Sequence, residues 1–270
     1  MRHKLFGMNI DDINDNALYD LLASYLTSEK TIRIATPNPE MIVDANKDLY
    51  FANSLSRMDL NLPDGVALRY AVSALTDNKL INRHTGIDTL DTIFSICERQ
   101  KRTILLFGAS GQILESAKEN ILKKYDLEIS VLNPGVLELV NGKLKIEQDI
   151  INRINEIGPE VIVIALSHKK QIAFMDNYNY YFQSVKIMIG VGGALDMIAG
   201  SSLRAPKFMR RCGFEWLWRL LIEPTRIGRI IKATVIFPFI VMLQVIKERK
   251  FIIAIKKTLP EIFKQIFISK

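Results

Sequence analysis

The chain has 270 residues, 49% hydrophobic and 24% charged, which is long enough to bury a full core and too apolar to be disordered throughout. Its net charge of +7 is unevenly placed: residues 201–270 hold 15 Lys+Arg against 4 Asp+Glu, a net of +11, and residues 1–200 carry −4. The basic residues of the tail are interleaved with Ile, Phe, Val and Leu, so an anionic membrane surface is the expected partner and nucleic acid is not.

In chain order, Met1 to Gly7 contains no long apolar run, so no cleaved signal peptide is expected. Asp11-Asp12 reads as a solvated turn. Thr31–Thr36 reads as a strand that ends at Pro37-Asn38-Pro39, because helix cannot easily begin before the second proline. Helical spacing follows from Glu40 to Leu49. Thr103–Phe107 is a second apolar strand, followed by the turn Gly108-Ala109-Ser110-Gly111 and a helix to about Tyr125. Glu128–Leu132 is a strand ending at Asn133-Pro134-Gly135, Glu147–Ile157 a helix, and Val161–Leu166 and Lys186–Val191 two more buried strands. Strands apolar on both faces and alternating with helices predict a parallel sheet in an α/β fold. Ligands of such sheets bind beyond the carboxyl ends of the strands, where each of these glycine- or asparagine-rich turns falls.

The sheet domain is expected to occupy residues 1–200 and a helical appendage residues 201–270. Ile230–Ile246 is 17 residues of nearly continuous apolar sequence, at the lower limit for a bilayer span, and Lys232 and Pro238 weaken that reading. From Lys247 to Lys270 apolar and basic residues alternate with helical spacing, the pattern of a helix lying in a membrane interface. A soluble appendage packed on the domain or on a partner is the alternative. The two cysteines, Cys97 and Cys212, form no CxxC pair and fit a reduced compartment.

Several residue groups could carry chemistry. Gly108-Ala109-Ser110-Gly111 and Gly190-Val191-Gly192-Gly193 could cradle a diphosphate with backbone N–H groups, although neither matches a full nucleotide fingerprint and each could be a structural turn. Asp196 could read a ribose or base edge, or simply sit at a helix start. Asp64, in Leu62-Pro63-Asp64-Gly65, is either a turn aspartate or a general base. His3, His84 and His168 show no metal-ligand spacing, and no metal site is expected. On a continuous helix Arg219, Arg226 and Arg229 would share one face, and a bend at Pro224 would not destroy the cluster; there they could bind a diphosphate or lipid head groups.

Taken with Thr36-Pro37-Asn38-Pro39-Glu40-Met41, Arg83-His84-Thr85-Gly86-Ile87-Asp88, Lys170-Gln171, Arg204-Ala205-Pro206-Lys207 and the segment Gly213–Pro224, these residues resemble the WecG/TagA/CpsF family of bacterial glycosyltransferases from about residue 5 to residue 230. The resemblance implies a Rossmann-like α/β core, mostly parallel in its sheet, with a membrane-reaching C-terminal appendage that helps complete the site. It implies an inverting, metal-independent transferase without a cofactor. Such an enzyme moves a sugar such as N-acetylmannosamine from a UDP-sugar donor to a polyprenyl-diphosphate-linked acceptor, in teichoic acid or exopolysaccharide synthesis. It would act as a peripheral protein at the cytoplasmic face of the cell membrane.

Carried over by residue, Asp64 matches the catalytic base. The substrate-binding candidates are Thr36, Asn38, Arg83, Gly108, Ser110, Lys170, Gln171, Gly192, Gly193 and Asp196, with Arg219, Arg226 and Arg229 on the donor diphosphate. The family's Ser-Pro-Lys-Gln-Glu reads His168-Lys169-Lys170-Gln171-Ile172 here, so its glutamate is lost. That departure keeps a non-catalytic membrane-tethered scaffold in view. A dehydrogenase is disfavoured by the missing fingerprint. Apolar helical surfaces leave a homo-oligomer open as well.

Overall fold

A computed structural model describes residues 1–267; the last three residues of the predicted amphipathic tail lie outside the described residues. An antiparallel hairpin, β1 (Arg2–Leu5) and β2 (Met8–Asp11), leads into α1 (Asp15–Tyr25), β3 (Ile32–Ala35), α2 (Pro39–Ala45), α3 (Leu49–Ser56), β4 (Leu60–Asn61), α4 (Val66–Leu75) and α5 (Gly86–Gln100). Next come β5 (Thr103–Phe107), α6 (Gly111–Leu122), β6 (Glu128–Leu132), the hairpin β7 (Glu138–Val140) and β8 (Lys143–Lys145), and α7 (Gln148–Ile157). They are followed by β9 (Val161–Ile164), α8 (His168–Tyr178), β10 (Ile187–Gly190) and α9 (Ala194–Ile198).

The central sheet has six parallel strands in the order β4-β3-β10-β9-β5-β6. Side chains alternate between its faces. Ala35, Leu105, Phe107, Ile162, Ile164 and Met188 join one buried cluster, which also takes residues of α2, α3, α4, α7 and α8. Ile34, Leu106, Val163 and Ile189 join the other, with residues of α1, α5 and α6. With all strands parallel, their carboxyl ends share one edge of the sheet, and Thr36, Asp64, Gly108, Ser167 and Val191 follow there.

Past α9 the chain is helical: α10 (Lys207–Cys212), α11 (Glu215–Ile222), a 3₁₀ turn at Pro224–Arg226, α12 (Ile227–Ile231), a π turn at Lys232–Ile236, α13 (Phe237–Lys247) and α14 (Phe251–Phe267). Two prolines shape this region. Glu223, outside the helical region before Pro224 at φ −133° and ψ 70°, ends α11. Pro238 lacks an N–H and crowds the carbonyl four residues back, and the widened π turn just before it provides room. Pro224–Lys247, 24 residues long, is long and apolar enough to cross a membrane, with an 18-residue window of mean hydropathy 1.9. Its inward residues Ile230, Phe237 and Val245 are buried, and the stretch contacts α2 and α4.

Two expectations are corrected. Asp11 and Asp12 are not a solvated turn; both are only 7% exposed. Asp11 accepts from the Asn61 backbone N–H at 2.8 Å, and Asp12 accepts from the backbone N–H groups of Ile81 and Asn82 at 3.0 and 2.9 Å. The pair thereby fastens the hairpin to β4 and to the loop before α5. The predicted helix from Glu40 to Leu49 is two helices, broken where Asp48 caps α3 by accepting from the Phe51 N–H at 3.1 Å.

Candidate active site

Four strand ends build one cleft. After β3, Asn38 caps α2 by accepting from the Met41 N–H at 3.0 Å, and the Thr36 hydroxyl donates to the Gly190 carbonyl at 3.0 Å. After β4, the Asp64 N–H donates to the Pro37 carbonyl at 2.8 Å, and Gly65 turns the chain into α4 at φ +103°, a conformation that favours glycine. After β9, the Gln171 side chain is 2% exposed and accepts from the Gly192 N–H at 2.9 Å. A Cβ on Gly190 would lie 2.7 Å from Gln171 Cδ, so glycine there is what lets the side chain pass beneath the β10 turn. Gln171 thus shapes the glycine turn from below.

The appendage closes the cleft from the other side. Arg204 donates to Asp88 at 2.6 Å. That bond and one from Thr85 hold the Asp88 carboxyl below its ordinary pKa despite desolvation, which pushes the other way. Arg229 Nε donates to both oxygens of Glu40 at 3.0 and 2.9 Å, and Lys232 donates to Asp44 at 2.8 Å. His168 lies 2.9 Å from Asp44, and burial lowers its pKa. The potential ligand atoms of Glu40, Asp44 and His168 lie within 4.8 Å of one another, so the three resemble a metal triad. Arg229 and Lys232 already pair with its carboxylates, which makes the cluster a clasp between core and appendage.

The resulting cleft, about 290 Å³, is lined by Thr36, Asn38, Asp64, Gln171, Gly192, Gly193, Asp196, Arg219, Arg226 and Arg229. The three arginines lie on a segment bent at Pro224: Arg219 is on α11, Arg226 in the 3₁₀ turn and Arg229 on α12. The Pro224 break still turns all three toward the same space. Arg219 and Arg226 are paired with Glu215 and Glu223 of their own segments. Gly193 sits between Asp196 and Arg226: a Cβ there would be 3.4 Å from Asp196 Oδ2 and 3.5 Å from Arg226 Nη2.

Not every candidate gathers there. Arg83 lines the two adjoining pockets. Gly108, Ser110 and Lys170 stand outside the lining. Gly108, at φ +107°, makes room for Leu166, whose Cδ2 would lie 2.7 Å from a Cβ, and Ser110 caps α6. Asp64 lines the cleft, and desolvation pushes its pKa up to about 7; the charge of Glu215 adds to the rise, and Arg83 and Arg219 oppose it.

The profile of the glycosyl transferase WecG/TagA/CpsF family matches residues 3–251. The chain belongs to this family. It is 29% identical over 226 residues to the N-acetylglucosaminyldiphosphoundecaprenol N-acetyl-beta-D-mannosaminyltransferase of Bacillus subtilis strain 168, covering 83% of this chain and 85% of that one. It is 28% identical over 214 residues to the transferase of the same name from Bacillus spizizenii, covering 78% and 79%. Against its namesake from Staphylococcus aureus strain NCTC 8325 it is 25% identical over 237 residues, covering 87% and 90%.

In this glycosyltransferase the residues that sequence reasoning missed are the acids. Glu215 adjusts Asp64, and Glu40 and Asp44 anchor the appendage. Charged residues on the otherwise apolar Pro39–Ala45 helix were the available signal, because buried carboxylates need cationic partners.

Proposed function

We propose that this glycosyltransferase moves N-acetylmannosamine from a UDP donor to the N-acetylglucosamine of an undecaprenyl-diphosphate-linked acceptor, inverting the anomeric configuration. The observation that carries the reading is the position of Asp64. It lines the polar cleft of the glycine turn, Asp196 and the arginines, and it also lines a second pocket with the apolar walls Val66, Ala67, Trp216, Ile230 and Ala233. A base at that junction faces a polar nucleotide-sugar on one side and a lipid-linked sugar on the other.

In this mechanism the donor diphosphate lies against the Gly192-Gly193 backbone and Arg219, Arg226 and Arg229. Asp64 takes the proton of the acceptor hydroxyl. The hydroxyl oxygen forms the new bond to the anomeric carbon, and the bond to the donor oxygen breaks on the opposite face. That electron pair leaves on UDP, whose charge the guanidinium groups stabilise in place of a divalent cation. A carboxyl with a pKa near 7 suits a general base working near neutral pH.

The appendage would dock on the membrane through its outward apolar residues, among them Val235, Phe239, Leu243, Ile252 and Leu259, with Lys256 and Lys264 meeting anionic head groups. α13 and α14, which carry all of these but Val235, pack against α4, and the π turn of Val235 packs on α2, which favours an in-plane, peripheral placement at the cytoplasmic face over a span. The test is UDP release by the full chain with a panel of UDP-sugars and the lipid-linked acceptor in detergent, with and without chelator. Release with UDP-N-acetylmannosamine alone, unaffected by chelator, is expected. Release with a different sugar alone, or only when a divalent cation is present, would contradict the reading.

A further inference from the structure

Beside Asp64 lies a second polar pocket, of about 370 Å³, whose lining includes Pro63 and Gly65 on either side of it in sequence. Four cationic residues line this pocket: Arg69 of α4, Arg83, and Lys207 and Arg211 of α10. Its lining contains no carboxylate among the described residues. Such a cavity suits a compact, multiply charged anion.

At its edge stands Gln265, near the end of α14. The Gln265 amide donates to the Arg211 carbonyl at 2.5 Å and accepts from the Tyr70 hydroxyl at 3.4 Å. Further along α14, Glu261 accepts from Ser73 at 2.8 Å and Lys257 donates to Asp77 at 2.7 Å. These bonds hold α14 along α4. Between α4, α13 and α14 they leave an apolar groove of about 310 Å³, walled by Tyr70, Ala74, Phe237, Val241, Ile255 and Ile262. The groove meets the apolar side of the Asp64 cleft at Ala67, which lines both. Phe251 and Ile255, on its outer wall, are exposed.

We propose that the basic pocket binds the diphosphate of a polyprenyl-diphosphate acceptor, that the groove takes the first isoprene units, and that α14 supplies a wall of each. This rests on the acceptor class argued under Proposed function and assigns that acceptor its site. The basic pocket shares Gly65, Val66 and Arg83 with the apolar side of the Asp64 cleft, and its Gln265 bonds to Tyr70 of the groove, so base, cations and groove adjoin one another, as sugar, diphosphate and hydrocarbon do in such a lipid. Charge and polarity therefore match the parts of one molecule. α14 starts at the last residue matched by the family profile, so nearly all of this wall lies outside the matched residues.

The experiment is binding of undecaprenyl diphosphate, without sugar, to the full chain in neutral detergent micelles. It is read by tryptophan fluorescence, since Trp216 lines the adjoining cleft. Phosphatidylglycerol in the same micelles serves as competitor. The unsubstituted protein should bind, phosphatidylglycerol should compete poorly, and the double variant Lys207→Glu/Arg211→Glu should bind roughly tenfold more weakly or worse. Ile255→Trp, which narrows the groove, should weaken undecaprenyl diphosphate more than inorganic diphosphate. In transfer assays both variants should raise KM for the acceptor and leave KM for the UDP-sugar unchanged. Unaltered binding in the charge-reversed variant, no binding by the unsubstituted protein, or equal competition by phosphatidylglycerol would overturn the proposal. Tight binding that responds to these substitutions, in a protein that transfers no sugar, would sustain the lipid site and refute the transferase chemistry instead.

Discussion

Arg229 grips Glu40 with one nitrogen set between both carboxylate oxygens, at 3.0 and 2.9 Å, across 189 residues of sequence. The acid is buried and the guanidinium is half exposed. Beside this pair, Lys232 holds Asp44. The contact fixes the angle at which the appendage meets the core, and with it the place of Arg226 in the cleft.

Removing the cation leaves a buried carboxylate short of a partner. Arg229→Ala is therefore expected to cost about 1–3 kcal/mol of stability. Arg229→Ala/Lys232→Ala should also raise amide hydrogen exchange over 224–247 while the sheet stays protected. A double variant with unchanged exchange in that stretch would mean that apolar packing alone seats the appendage.

Asp64 links activity and stability to pH in opposite directions. Its native pKa of about 7 exceeds the ordinary 3.8, so between those values the folded protein keeps a proton that the unfolded chain gives up. The contribution of this group to stability is full at acid pH and is lost as pH rises toward 7. Asp64→Asn should melt higher than the unsubstituted protein at pH 8, and the gap should close toward pH 4. Activity needs the ionised form, so kcat/KM should rise with pH through an acid limb near 7.

Glu215 contributes to that raised pKa by charge repulsion. In Glu215→Gln the acid limb of kcat/KM should shift to lower pH. The Arg219 partner released by the change acts in the same direction. A pH–rate profile settles this, and a limb that stays in place would remove Glu215 from the account.

Gly190 and Gln171 are predicted to fail together. A Cβ at residue 190 would lie 2.7 Å from Gln171 Cδ, so Gly190→Ala must displace the amide that holds the Gly192 N–H. Overpacking of this kind costs about 1–3 kcal/mol. Gln171→Ala should keep most of the stability and raise KM for the donor, because the turn loses its support. Donor titrations of the two variants check this.

The membrane face can be weakened without touching the site. Ile252 and Leu259 are 70% and 62% exposed and line neither the cleft nor the groove. Ile252→Asp/Leu259→Asp should leave the melting temperature unchanged and reduce sedimentation with phosphatidylglycerol vesicles, each lost side chain removing up to about 1.5–3 kcal/mol of apolar burial.

The parts legible in the sequence were those with one dominant cause. Thr103–Phe107, Val161–Ile164 and Ile187–Gly190 are apolar on both faces, and only a covered parallel sheet buries such strands. The two-residue strand β4 was not legible, because Asn61 interrupts the apolar pattern and is placed by Asp11, fifty residues away. The β7–β8 hairpin carries a local signal: Asn141-Gly142, both at positive φ, is a two-residue turn. In the site, Asp64, Gln171 and the glycine turn were legible from the family pattern. The ion pairs of Glu40 and Asp44 were not, because their partners Arg229 and Lys232 lie 189 and 188 residues away; Glu215 and Arg219, four residues apart on α11, do form a pair that local spacing relates.

The most direct test of the central claim is transfer of N-acetylmannosamine from its UDP donor to undecaprenyl-diphosphate-linked N-acetylglucosamine, comparing the unsubstituted protein with Asp64→Asn under saturating substrates. A general base predicts a fall in kcat of about 10²–10⁴-fold with donor and acceptor binding retained. Transfer by Asp64→Asn at the unsubstituted rate would contradict the assignment of Asp64 and, with it, the placement of the reaction at this cleft.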